Sequence, residues 1–122
     1  YGASLVNMAG SSDCHTPYVK GQPDFSREFG GGNTFVVGKF KVSSANITPD
    51  STTGIGKWDL EGFMNKFTVC REEKGYNYDP GKMNTVMPVV DYSGMKDSDL
   101  KAIYAYLRTV KPVSNAVVKY PQ

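Results

Sequence analysis

Cys14 and His15 stand next to each other, and His15 is the only histidine of the 122 residues. The pair closes the stretch Ser11-Ser12-Asp13-Cys14-His15. A thiol beside an imidazole has two interpretations: two packed side chains of a core, or two groups that hold one cofactor. The second interpretation holds only if the rest of the chain supplies another ligand and a pocket for the cofactor. A fold that brings these together around Cys14 and His15 is the strongest restriction that the sequence places on the structure.

The stretch matches the haem-attachment motif C-x-x-C-H at every position except the first. Ser11 occupies that position, and a hydroxyl does not form the thioether that a cysteine forms with a haem vinyl group. If the stretch is a haem site, it predicts attachment through Cys14 alone. Because the chain has a single histidine, an iron bound to His15 takes its other protein ligand from a different residue type.

The composition indicates one domain over residues 1–122. The 14 Lys and Arg residues exceed the 12 Asp and Glu residues by only two, and no basic run indicates a nucleic-acid partner. No apolar run approaches the roughly 20 residues that span a bilayer. The chain begins at Tyr1 without a methionine, and we expect a processed protein that is periplasmic or otherwise exported.

Three segments have apolar residues at helical spacing. They run from Gly2 to Ala9, from Asp59 to about Val69, and from Asp97 to about Thr109. Their apolar residues are, in turn, Leu5, Val6 and Met8; Leu60, Phe63, Met64 and Phe67; and Leu100, Ile103, Tyr104 and Leu107. Asp59 is suited to cap the second helix, and Pro112 excludes continuation of the third.

The segments between these helices are rich in Gly, Asn, Ser, Thr and Pro. The stretch TFVVGKFKV, which starts at Thr34, alternates enough to predict a short extended segment or a hairpin arm. From Glu72 to Gly94 we expect a long coil. A coil of this length in a compact domain needs something to organise it, and a cofactor lying against it would do so.

The methionines are candidates for the second iron ligand, because thioether sulfur binds haem iron opposite histidine in some haem proteins. They are Met8, Met64, Met83, Met87 and Met95. Met8 and Met64 are expected in the core, and Met95 is expected to pack ahead of the last helix as a hydrophobic staple. Pro88 follows Met87, and such a rigid corner can aim a sulfur at a metal. The alternative is that Met87 fills a gap in the core.

Three blocks of the sequence resemble a class I cytochrome c, and in particular the monohaem cytochrome c domains of bacterial dehydrogenase cytochrome subunits. The blocks read LVNMAGSSDCHTP, NITPDSTTGIGKWDLEGF and MPVVDYSGMKDSDLKAIYAYLRTVKPV. The most specific part extends from Asn46 to Trp58. The resemblance implies an all-α cytochrome c fold, with three or more helices and long loops around one haem.

The resemblance also implies the cofactor and its ligands. Haem c would be attached through Cys14, with its iron bound by His15 and Met87. Pro17 and Asn46 lie within the matching blocks, and we expect them to contact the haem.

Aromatic residues have expected roles as well. Trp58 resembles an indole that the family places on the propionate side of the haem, and the alternative is a core aromatic whose N–H bonds to a backbone carbonyl. The first and last helices are expected to cross where Tyr104 or Tyr106 meets Leu5 or Val6.

Some positions depart from the family pattern. Ser11 is the first of them. Lys96 stands where a hydroxyl residue is expected to cap the last helix, and we expect Asp97 to take over through a shift of one residue. Cys70 has no assigned role.

The resemblance implies an electron carrier rather than an enzyme. A six-coordinate haem has no open site, and its partners would be redox proteins such as a dehydrogenase, an oxidase or another cytochrome. We expect the exposed haem edge near residues 11–16 and 87–90. One alternative is a five-coordinate haem for small-ligand sensing or peroxide chemistry. Another is a small exported binding module without haem, stapled by a disulfide between Cys14 and Cys70.

Overall fold

The computed structural model describes residues 1–38, 40–71 and 87–121. The helices of this part are α1 (Gly2–Met8), α2 (Ser11–His15), α3 (Leu60–Thr68), α4 (Val89–Tyr92) and α5 (Asp97–Leu107). Single 3₁₀ turns lie at Phe25–Arg27 and Val69–Arg71. Two antiparallel hairpins complete the description: β1 (Tyr18–Val19) with β2 (Gln22–Pro23), and β3 (Thr34–Val37) with β4 (Phe40–Ser43).

The core lies between α1, α3 and α5, the three helices that the apolar spacing predicted. Val6 and Leu100 are buried at its centre. Gly2 lies directly against the backbone of Ala102 and the side chain of Tyr106, where any larger residue would collide. The first and last helices therefore pack together as expected, and Tyr104 and Tyr106 both pack against the core cluster that contains Val6.

The N-termini of α3 and α5 differ in how they are capped. Asp59 caps α3 as predicted, because its Oδ1 accepts from the backbone N–H of Gly62 at 2.7 Å. The expected shift of the α5 cap to Asp97 is wrong, since Lys96 is the N-cap residue and Asp97 is already helical. The carboxylate of Asp97 binds Arg71 instead, with 2.8 Å between Nη1 and Oδ1.

Two further expectations need correction. Met8 is 83% exposed rather than part of the core, because the short helix α1 buries Val6 and ends at Met8. The expected coil from Glu72 to Gly94 is interrupted by α4, while residues 72–86, including Met83, lie outside the described part. Met64 and Met95 pack against the core as predicted, and Met87 packs against it as well.

The segment after α5 has no regular secondary structure but is tied to the rest of the molecule. The carbonyl of Val113 accepts from the side chain of Asn46 at 2.7 Å. Further along, the carbonyl of Lys119 accepts from the backbone N–H of Ser43 at 2.8 Å, which fixes the segment along β4. In the described ranges the longest helix, α5, has 11 residues, and no helix there is long and apolar enough to cross a bilayer.

Candidate functional site

Cys14 and His15 lie in the last turn of α2, a helix of five residues. The chain turns at Gly10 before this helix, and the extended backbone of Thr16 ends it. The two neighbouring side chains have opposite surroundings. His15 is 8% exposed, whereas Cys14 is exposed to solvent as a free thiol.

A backbone carbonyl fixes the protonation of His15. The distance between His15 Nδ1 and the carbonyl oxygen of Ala45 is 2.7 Å. Because a carbonyl only accepts, Nδ1 carries the proton and the lone pair lies on Nε2. Burial lowers the pKa of the imidazole below its usual value, although the hydrogen bond to Ala45 acts in the opposite direction. A buried, neutral imidazole with an oriented Nε2 is the form that binds a metal.

Cys14, His15 and Met87 line the same cavity. The first two come from α2, whereas Met87 comes from the turn before α4, where its carbonyl accepts from the N–H of Val89 at 2.8 Å. Other walls come from the hairpin β3–β4, from α4 and from the final segment; they include Phe35, Val42, Ala45, Val89, Tyr92 and Lys119. The fold thus brings Met87 to the same cavity as Cys14 and His15, although more than 70 residues separate them in sequence.

The chemistry of these three side chains fits haem c. A thiol at the cavity edge is the group that forms a thioether with a haem vinyl. An imidazole nitrogen and a methionine sulfur are the two axial ligands of iron in cytochromes c. Phe35, Val42 and Val89 add the apolar contacts that a porphyrin ring requires.

The remaining predicted site residues do not line this cavity. Pro17 is buried, and the amide of Asn46, which is 4% exposed, is bonded to other protein groups. Trp58 is 38% exposed, so that its description as a core aromatic is wrong; its carbonyl accepts from the hydroxyl of Tyr104 at 2.7 Å. A contact between haem and Trp58, Pro17 or Asn46 stays a prediction.

Several residues that line the cavity were not singled out from the sequence, among them Tyr92, Phe35 and Val42. Tyr92 lines the cavity and donates its hydroxyl to the carbonyl of Ala9 at 2.6 Å; its burial raises the pKa of the phenol. Phe35 and Val42 are opposite each other in the hairpin register and both face the cavity. The alternation of this segment predicted a short extended stretch or a hairpin arm, which the structure confirms, but not what the hairpin covers.

Comparison with known proteins identifies the family. Residues 1–111 match the family model described as cytochrome c. The chain is 34% identical over 120 residues to the fructose dehydrogenase cytochrome subunit of Gluconobacter japonicus, which covers 92% of the chain and 21% of the relative. It is 35% identical over 116 residues to the gluconate 2-dehydrogenase cytochrome c subunit of Pantoea cypripedii, covering 94% of the chain and 24% of the relative.

A third relative is the cytochrome c subunit of the quinone alcohol dehydrogenase of Gluconobacter oxydans, 31% identical over 114 residues, with 93% of the chain and 22% of the relative covered. The chain thus spans about a quarter, or less, of the length of these curated relatives. Cytochrome c family members carry covalently bound haem c with iron. The match confirms the resemblance, the cofactor and the predicted all-α cytochrome c fold, to which the two short hairpins are additions. This chain belongs to the cytochrome c family.

Proposed function

We propose that the chain is a monohaem electron carrier, with haem attached through Cys14 alone and iron bound by His15 and Met87. The convergence of these three side chains on one cavity carries the proposal. When bound, the haem supplies a metal that gains and loses one electron. The role of the protein is to hold two ligands in place and to keep water from the metal.

Particular residues hold the two proposed ligands and keep water from the metal. Ala45 keeps the proton of His15 on Nδ1, so that Nε2 is available as a ligand. The turn before α4 holds the backbone of Met87. Phe35, Val42 and Tyr92 cover the cavity walls, and a water-poor surrounding favours the less charged, reduced state of a haem.

The alternatives have less support. Cys14 and Cys70 are both free thiols in the structure, which contradicts the disulfide-stapled module. Peroxide chemistry needs an acid–base group beside the iron. The only imidazole is the proposed ligand itself, and the hydroxyl of Tyr92 is bonded to the carbonyl of Ala9.

We further propose that residues 1–122 form one exported domain that exchanges electrons with other proteins. The partner would be a dehydrogenase, an oxidase or another cytochrome; the relatives, which are named as cytochrome subunits of dehydrogenases, support the first of these. The partner would approach the haem edge near residues 11–16 and 87–90. A formal charge of +2 makes long-range steering weak.

Attachment through one cysteine predicts that replacing either of two serines by cysteine has a different effect on the pyridine haemochrome spectrum. Acid-acetone should leave the haem on the wild-type protein, and the pyridine haemochrome band should lie between the positions of b-type and ordinary c-type haem. Ser11→Cys should move the band to the c-type position, because Ser11 lines the cavity. Ser12→Cys is the control: Ser12 does not line the cavity, and its hydroxyl lies 3.3 Å from that of Thr16. Free extraction of haem from the wild type would contradict covalent attachment.

The carrier function predicts fast electron exchange at a closed iron. The reduced protein, mixed with an oxidised small cytochrome or copper protein in a stopped-flow instrument, should be oxidised rapidly. The rate should depend only weakly on ionic strength, since the net charge is low. Carbon monoxide should not bind on the same timescale. Prompt carbon monoxide binding would instead support the five-coordinate alternative.

A further inference from the structure

The side chain of Asn33 holds the segment that carries His15. Its Nδ2 donates to the carbonyl of Cys14 at 3.1 Å and to the carbonyl of Thr16 at 2.7 Å. These two carbonyls belong to the residues on either side of His15. Asn33 does not line the cavity, so that its effect on a bound group passes through this backbone.

The backbone of the same loop is fixed to the segment that carries Ala45. Asn33 N–H donates to Ser44 Oγ at 3.1 Å, and Ser44 N–H donates to the carbonyl of Asn33 at 2.8 Å. Gly31 N–H donates to the carbonyl of His15 at 2.6 Å. Gly31 has a φ of 76° and lies so close to Ala45 that a Cβ would be 2.5 Å from its carbonyl oxygen. The loop therefore touches both segments that the bond between His15 and Ala45 joins.

That hydrogen bond affects any metal on Nε2. A bond from Nδ1–H to a carbonyl orients the ring and raises the basicity of the other nitrogen. A more basic ligand stabilises ferric iron more than ferrous iron, which lowers the reduction potential. A longer or weaker bond has the opposite effect. The distance between the segment that carries His15 and the segment that carries Ala45 therefore determines how basic Nε2 is as a ligand.

We propose that Asn33 is a positioning residue for His15, a role that rests on the proposed ligation of iron by His15. Its amide bonds to Cys14 and Thr16, together with its backbone pairing to Ser44, keep the imidazole at hydrogen-bonding distance from Ala45. Loss of the amide lets the segments separate, weakens the bond and raises the potential.

Asn33→Leu tests this role, because leucine has a similar size and no N–H donor. The reduction potential of the holoprotein should rise relative to wild type. In the ferrous protein, the Nδ1 proton of His15 should exchange with solvent about tenfold faster, as expected for loss of one net hydrogen bond. Since His15 is the only histidine, labelling with ¹⁵N-histidine reports this one imidazole by NMR.

Asn115→Leu is the matched control. Its Nδ2 donates to the carbonyls of Gly30 at 2.9 Å and Gly31 at 3.3 Å, so that the variant loosens the same loop while the bonds from Asn33 to Cys14 and Thr16 remain. Its stability should fall, while its potential and proton exchange should change less than in Asn33→Leu. A second variant, Asn33→Ala, removes the same Nδ2 donors without the bulk of leucine and should shift both readouts in the same direction as Asn33→Leu.

Two different results separate failure of this inference from failure of the proposed function. If Asn33→Leu and Asn33→Ala leave both readouts unchanged, or if Asn115→Leu moves them equally, Asn33 does not position His15. If Asn33→Leu does not fold, Asn33→Ala decides alone. If the Nε2 resonance of the wild-type ferrous protein lacks the shift of an iron-bound nitrogen, the proposed ligation itself is wrong.

Discussion

Met87→Ala should lower the reduction potential of the holoprotein by on the order of 0.1 V, within the roughly 0.8 V range that axial ligands control. In the proposed ligation this variant loses a soft sulfur ligand, and such a ligand favours ferrous iron. The weak sulfur-to-iron charge-transfer absorption of the oxidised protein should disappear. The variant should also gain carbon monoxide binding, because the position opposite His15 becomes open. Redox titration and absorption spectra measure these changes.

Met95→Ala is the matched control for this experiment. Met95 packs against the core and is not among the residues that line the cavity. Its truncation should reduce the free energy of unfolding while leaving the potential and the charge-transfer absorption near wild type. If Met95→Ala abolished the absorption and Met87→Ala did not, the second ligand would be Met95.

Asn46→Ala should reduce the free energy of unfolding by about 2–4 kcal/mol, since it removes the hydrogen bonds of a buried side chain and takes its acceptor from the backbone N–H of Thr48. The Oδ1 of Asn46 accepts from Thr48 N–H at 3.0 Å and from Thr48 Oγ1 at 2.7 Å. Its Nδ2 donates to the carbonyl of Val113 at 2.7 Å and to Thr53 Oγ1 at 3.1 Å. One side chain therefore joins the loop before α3 to the segment after α5. Denaturant unfolding of the holoprotein measures the loss.

Asn65→Ala provides the comparison, because Asn65 is an exposed residue of α3. Its effect on stability should stay within about 0.5 kcal/mol. A similar loss in the two variants would mean that the Asn46 bonds contribute little. The reduction potential of folded Asn46→Ala should also be compared with that of the wild type. A clear difference between the two would support the predicted contact between Asn46 and haem.

The long helices could be predicted because their apolar residues repeat over several turns. Phe63 and Phe67 share one face of α3, and Leu100 and Leu107 share one face of α5. The shortest helices could not be predicted in this way. Both α2 and α4 have five residues or fewer, which is too short for a period to show. The exposure of Met8 also follows from short helix length. Met8 is the last residue of α1, a helix of seven residues, and lies beyond the part that packs against the core.

The site could be predicted only as far as its side chains carry distinctive chemistry. His15 could be selected by residue type, because it is the only histidine, whereas Met87 is one of five methionines and was singled out by Pro88 and by the resemblance to cytochromes c. The partner of His15 is a backbone carbonyl, which every residue possesses, so that nothing in the sequence marks Ala45. The roles of Asn33 and Tyr92 likewise depend on which segments the fold brings together, and these contacts are not local in sequence.

The segment after α5 closes one wall of the candidate site. Cys14 is exposed, so that in the proposed site its thiol is open to attachment chemistry before this segment packs. Lys119 lines the cavity, and its carbonyl is held by the backbone N–H of Ser43. Contacts between residues so distant in sequence form late, because closing such long loops costs chain entropy. We therefore expect the cavity to gain its last wall when the segment after α5 packs along β4, at a late step of folding.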